Sequence, residues 1–224
     1  MRERWLGAGE LVRVAVAAAE AALTPYVERD WTATPARDLD LSCRATLTHV
    51  VDGLHHFTCQ VLTAHPESTG TAYELRPRPR ASPATGGVRD PAGEDLLRGL
   101  TTYGGILAAV VEAADPASRA YHPYGAADPA GFATMGALEV VVHAYDIAAG
   151  FGGTWAPPAV VAWPCVDRLF HDQEAGLSAF SAADALLWCC GRVPLPGRPR
   201  RDEGWRWDGR PMADRLRGRV AVGS

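Results

Sequence analysis

The sequence predicts an all-α protein: a bundle of four long helices, two shorter ones and an arginine-rich tail. Three observations carry this. Alanine is abundant while runs rich in Val, Ile and Thr are few, a balance that favours helix over strand. Four long segments place apolar residues at helical spacing. Three of those segments end at a helix breaker or begin at a capping residue: Pro25 ends the first, Ser42 opens the second and Gly150 stops the fourth.

In the first segment, Glu10 to Val27, the apolar positions Leu11, Val14, Ala18, Ala22 and Tyr26 follow a helical period up to Pro25. Residues 29–41 are a polar connection holding Trp31 and Pro35. The second helix runs from about Ser42, a good N-cap, to Ala64, with Leu47, Val50, Val51, Leu54, Phe57 and Val61 on one side. Residues 66–93 are rich in Pro and Gly and read as a long loop, with a short strand near Ala72–Leu75. Loops of this length often border a site. The third helix spans Glu94 to Ala114, and Gly104-Gly105 in its middle should weaken or kink it. Residues 115–128 form another loop, through Tyr121-His122-Pro123-Tyr124. The fourth helix, Ala130 to Ala149, stops at Gly150 and Gly152-Gly153. Two further helices are expected at Pro158–His171, interrupted by Pro164, and at Ser181–Gly191. From Arg192 the chain is expected to be extended or hairpin-like around Trp205 and Trp207.

Composition removes several kinds of function. All 22 basic residues are arginine, which rules out a Schiff-base, P-loop or general-base lysine. Nine arginines from Arg192 to Arg219 face four acids, a local balance of +5 in a chain of net charge −4. This basic tail lacks nucleic-acid-binding motifs. Trp205 and Trp207 look like packing anchors, so no nucleic-acid partner is expected and a solvated tail, or one holding a small anion, is. The five cysteines, Cys43, Cys59, Cys165, Cys189 and Cys190, form no CxxC pair. They read as reduced, inert thiols. With no clear leader and no apolar run of about 20 residues, the expectation is a cytoplasmic protein without a membrane partner.

The chemistry concentrates in Gly136–Asp146. Glu139 and His143 stand four apart in an apolar run, hence on one helix face about one turn apart. A buried carboxylate and imidazole are costly without a shared charge partner. A divalent metal suits both, and a plain Glu–His pair closing onto a neighbouring helix is the alternative. His49, between Leu47 and Val50 in the second helix, is the best third donor. His56 shares its face but lies roughly 10 Å further along, too far to bind the same ion at about 2 Å. His55 is expected to face solvent, and His65, His122 and His171 to be surface residues in loops or at helix ends. Asp146, one turn beyond His143, either orients it or is an acid at the helix end facing solvent. Arg44 and His56 are candidates for binding thiol or substrate.

Arg44-Ala45-Thr46-Leu47-Thr48-His49 resembles the segment before the first metal ligand in mycothiol-dependent maleylpyruvate isomerases of the DinB-like superfamily. Glu139-Val140-Val141-Val142-His143-Ala144-Tyr145-Asp146 resembles that family's E-x-x-x-H-x-x-D segment. The resemblance covers residues 1–155. It implies a DinB-like four-helix metal-binding bundle there, with residues 156–224 as a C-terminal helical extension and basic tail. It also implies His49, Glu139 and His143 as ligands of a divalent ion, Zn2+ by family habit, with Ni2+ or Fe2+ as alternatives, and mycothiol as co-substrate. The chain departs from the family pattern at Leu41 and Ala45, where the family has Trp and Asp. The expected activity is S-transfer or cis–trans isomerisation of a small electrophile. A metal-dependent hydrolase and a non-catalytic metal-binding protein are the competing expectations. Helices five and six offer a surface on which two chains could form a homodimer.

Overall fold

The computed structural model describes residues 6–67, 93–173 and 175–220. The expected long loop and its short strand fall almost wholly outside these residues. Seven α-helices are described: α1 (Ala8–Leu23), α2 (Cys43–Thr63), α3 (Gly93–Ala113), α4 (Pro129–Gly150), α5 (Ala159–Leu169), α6 (Ala182–Cys189) and α7 (Met212–Val220). Among the described residues there is no strand, only isolated bridges such as Ala120–Ala127.

Local chemistry sets the boundaries. α1 gives way at Pro25 to a 3-10 turn, Thr24–Tyr26. Ser42 caps α2, its hydroxyl accepting from the Ala45 N–H at 3.2 Å. Asp128 caps α4 by accepting from the Gly131 N–H at 2.8 Å, with Pro129 in the first turn. Both arrangements satisfy amides that the helix itself leaves unpaired. Ser181 does the same for α6.

The long helices pack side by side in the ring order α1, α3, α2, α4. α1 and α3 run antiparallel: Gly9 lies against Ala108 and Glu112, and Val16 against Gly104. α2 and α4 are also antiparallel, with Cys43 against Gly150 and Leu54 against Gly136. α2 and α3 run the same way, pairing Val51 with Gly99 and His55 with Tyr103. Beyond the ends of α1 and α4, which also share a direction, Tyr26 stacks on Phe151 at 5.1 Å. α4 is the central element. Sixteen of its residues are buried, and it touches α1, α2, α3 and α5.

Three expectations need correction. α3 is continuous through Gly104-Gly105; a Cβ at Gly104 would collide with Val16 Cγ2, so this glycine is a notch for α1 rather than a kink. α5 continues through Pro164; the carbonyl left without a donor belongs to Val160, an exposed residue that water can reach. The tail is folded. It carries α7, Trp205 packs on Phe170 and Trp207, and Arg215 reaches the Arg168 and Asp208 carbonyls. One set of buried apolar side chains runs from Leu11 to Leu195. By length and composition alone, α3 and α4 are long and apolar enough to cross a membrane, and 83% of the α4 window is buried inside the molecule.

Candidate metal centre

α4 is apolar on nearly every face because it is surrounded, which makes its few ionisable residues conspicuous. Glu139 and His143 occupy one face, toward α2, with side chains 13% and 14% exposed. His143 Nε2 lies 3.2 Å from Glu139 Oε2. His49 reaches across from α2, its Nε2 3.7 Å from the same oxygen. The two imidazole rings meet edge to face, with centroids 5.4 Å apart. One donor atom from each of the three residues lies within 4.8 Å of the others.

Those spacings fit a shared cation. Ligand atoms about 2 Å from a tetrahedral ion stand roughly 3.3 Å from one another. The Glu139–His143 pair is already there, and His49 needs only a modest inward movement. Its side chain is 57% exposed, so it has room to move. Two imidazoles and a carboxylate suit Zn2+, and the same set suits Fe2+.

Asp146 fixes the orientation of His143. Its carboxylate is 1% exposed, accepts from His143 Nδ1 at 3.1 Å, and receives Arg192 Nη2 at 2.8 Å and Nε at 3.1 Å. With Nδ1 committed to Asp146, Nε2 is the nitrogen turned to Glu139. This is the arrangement that metal-binding histidines use to set tautomer and ring angle. Of the two readings of Asp146, the geometry supports the orienting one. Arg192, from the segment after α6, closes the back of the site and also reaches the Cys190 carbonyl.

Charges in the cluster are strongly coupled. Burial alone would raise the Glu139 carboxyl, but hydrogen bonds and charge from His143 and His49 bring it down to about 2. Burial would lower His143, and its bonds to Asp146 and Glu139 instead raise it to about 9. Asp146 is held below its usual range: burial opposes this, and His143 and Arg192 outweigh it. Without a metal, the proton on His143 is therefore the cation that the two carboxylates share.

The other predicted residues divide. Arg44 is half-buried in the first turn of α2, five residues before His49. His56 is exposed, with Nε2 3.4 Å from Gln60 Nε2, and lies too far along α2 to share an ion with His49. His55 does not face solvent: it is half-buried against the Tyr103 ring, with centroids 5.6 Å apart. His65 is exposed as expected, while His171 is half-buried. His122 is not a surface residue; it is 8% exposed among aromatic rings. Cys43, Cys165, Cys189 and Cys190 are buried. Burial pushes the Cys43 thiol up to about 11 and Cys189 to about 12, as inert thiols require.

Two buried placements escaped sequence reasoning, one at the site and one outside it. Arg192 stands 46 positions from its partner Asp146, and nothing local in the Arg-rich tail distinguishes it. His122 lies in a loop with no periodicity, and the usable signal was its position between two tyrosines. No family model matches the chain, and no curated protein or solved structure matches it either.

Proposed function

We propose that this chain is a metal-dependent enzyme of thiol chemistry, a mycothiol-dependent S-transferase or cis–trans isomerase acting on a small electrophile, built on a DinB-like four-helix bundle. The observation that carries the reading is the meeting of His49 with Glu139 and His143 across α2 and α4. The segments around those residues, 44–49 and 139–146, are the ones that resemble the isomerase family. A divalent ion held by the three would supply a Lewis acid able to make a thiol or water nucleophilic near neutral pH.

The chain's own residues prepare that chemistry. Asp146 holds the His143 ring through Nδ1, so its Nε2 lone pair stays aimed at the centre. Arg192 keeps Asp146 ionised and fixed. Leu47, Val50, Val140 and Val142 are buried on the elements that carry the donors, which lowers the local dielectric and strengthens each charge interaction. His49 stands at the exposed side, where a co-substrate enters. A thiolate that adds to an alkene and is eliminated after bond rotation leaves the isomer. A thiolate that stays attached leaves the S-conjugate.

The exposed side at His49 admits water as readily as a thiol, and this favours hydrolysis as the second reading. Elemental analysis and a thiol assay decide. The expected result is one zinc per chain, lost in His49→Ala, with zinc-dependent conjugation of mycothiol to monobromobimane. Full zinc retention in His49→Ala would reject the triad. Zinc retention in the native protein, with ester hydrolysis and no thiol consumption, would select the hydrolase.

A further inference from the structure

The folded tail encloses a cavity of about 430 Å³ between the end of α5 and the segment that leads into α7. Leu169 and Trp207 supply apolar wall, and Arg206, Arg210 and Arg215 face Asp172 and Asp208, a surplus of one positive charge. Backbone groups hold the wall in place. The Asp208 N–H donates to the Leu169 carbonyl at 2.9 Å, and Arg215 Nη2 donates to the Arg168 and Asp208 carbonyls. None of His49, Glu139 and His143 lines this cavity.

Two donors of the lining residues lack acceptors. Among the described residues, the buried Trp207 Nε1 and Arg215 Nε have no hydrogen-bond partner. Arg215 is the more telling, because its charged side chain is only 5% exposed. The carboxylate beside it, Asp208, is committed to Arg210, which donates through Nε at 3.0 Å and Nη2 at 2.8 Å. Arg215 Nε stands 3.5 Å from Asp208 Oδ2 without a hydrogen bond. Burial lowers the Arg215 pKa, and the charges of Arg168 and Arg210 lower it further against the opposing Asp208. A buried N–H without an acceptor is costly, and a buried charge without a bonded counter-ion is more so. Water in the cavity would satisfy the indole but leave the charge. An anion with two oxygens answers both.

We propose that this cavity binds the carboxylate of a small organic acid, one oxygen accepting from Arg215 Nε and the other from Trp207 Nε1, with the carbon body against Leu169. Hydrogen bonds from a guanidinium to a carboxylate are among the strong ones. The single surplus charge matches a monocarboxylate, and Asp172 and Asp208 disfavour a dianion such as phosphate. The volume falls within the roughly 300–1,000 Å³ of small-molecule pockets, which leaves room for the body of the acid. The site is separate from the triad and needs no metal there.

The test uses the full chain as purified, with benzoate as probe and benzyl alcohol as its uncharged counterpart. Calorimetric titration should give saturable benzoate binding with Kd below about 1 mM. Benzyl alcohol and inorganic phosphate should each bind at least about tenfold more weakly. Trp207→Phe keeps a ring and removes the N–H, and should weaken benzoate binding about tenfold. Arg215→Met should abolish it up to about 10 mM. Crystals of the unaltered protein soaked in 4-bromobenzoate should show a bromine anomalous peak in this cavity, which decides even where a variant fails to fold. No saturable benzoate binding, or benzyl alcohol or phosphate binding as tightly as benzoate, overturns the inference. So does full affinity in Trp207→Phe, or a bromine peak only outside the cavity. A bromine peak here in a chain that takes up no zinc refutes the metal reading and leaves this one standing.

Discussion

Asp146 joins two parts of the molecule through one carboxylate, and its replacement separates their roles. In Asp146→Asn the shape is kept and the charge is lost, so His143 is no longer held as a strong donor. Loss of such a partner typically weakens metal binding by about 10- to 100-fold, and zinc competition against a chelator is the measurement. The pH dependence follows from His143. Its pKa rises from 6.5 to about 9 on folding without metal, so the linked stability is fully present below about 6.5 and is lost as pH climbs through 9. The metal-free protein should lose on the order of 3 kcal/mol over that range, read as a falling melting temperature. Zinc-loaded protein, in which the ion replaces that proton, should stay flat over the same window. His122 behaves oppositely: its pKa is lowered to about 4, so stability linked to it is lost as pH drops from 6.5 to 4. His122→Phe should remove that acidic loss from the melting profile.

At the scale of elements, the two adjacent glycines of α3 make a paired test. A Cβ at Gly104 meets Val16 of α1, whereas Gly105 has open space around it. Gly104→Ala should therefore destabilise by about 1–2 kcal/mol, the collision exceeding the helix-propensity gain. Gly105→Ala should stabilise by up to about 1 kcal/mol. Denaturant midpoints for the two variants check both signs. The joint between α4 and the segment after α6 is tested by Arg192→Met. Removing this guanidinium leaves Asp146 buried with His143 as its remaining charge partner, a change that costs about 3 kcal/mol or more. Equilibrium unfolding should show it, and zinc affinity should fall in parallel because His143 loses its anchor.

Across the whole molecule, what the sequence revealed follows the range over which each signal acts. Helices α1 to α6 were legible because periodicity and caps such as Ser42 and Ser181 act within a few residues, whereas the Asp128 cap of α4 was read only as loop. Glu139 and His143 were legible for the same reason, being polar positions in an apolar helix. His49 could be chosen because its helix neighbours are apolar. Contacts set by the packing of distant segments were not legible. Arg192 on Asp146, His122 inside its aromatic box and Gly104 as a notch for Val16 all depend on which helix lies beside which. α7 was missed because its apolar residues are sparse among arginines; Pro211 at its start was the local cue.

The proposed metal centre needs His49, Glu139 and His143, from two antiparallel helices, to share one ion, and anomalous diffraction at the zinc edge from crystals grown with equimolar zinc measures this directly. A single peak about 2.0–2.2 Å from His49 Nε2, His143 Nε2 and a Glu139 oxygen is the predicted result. A peak at any other residues, or none there at full zinc occupancy of the protein, would contradict it.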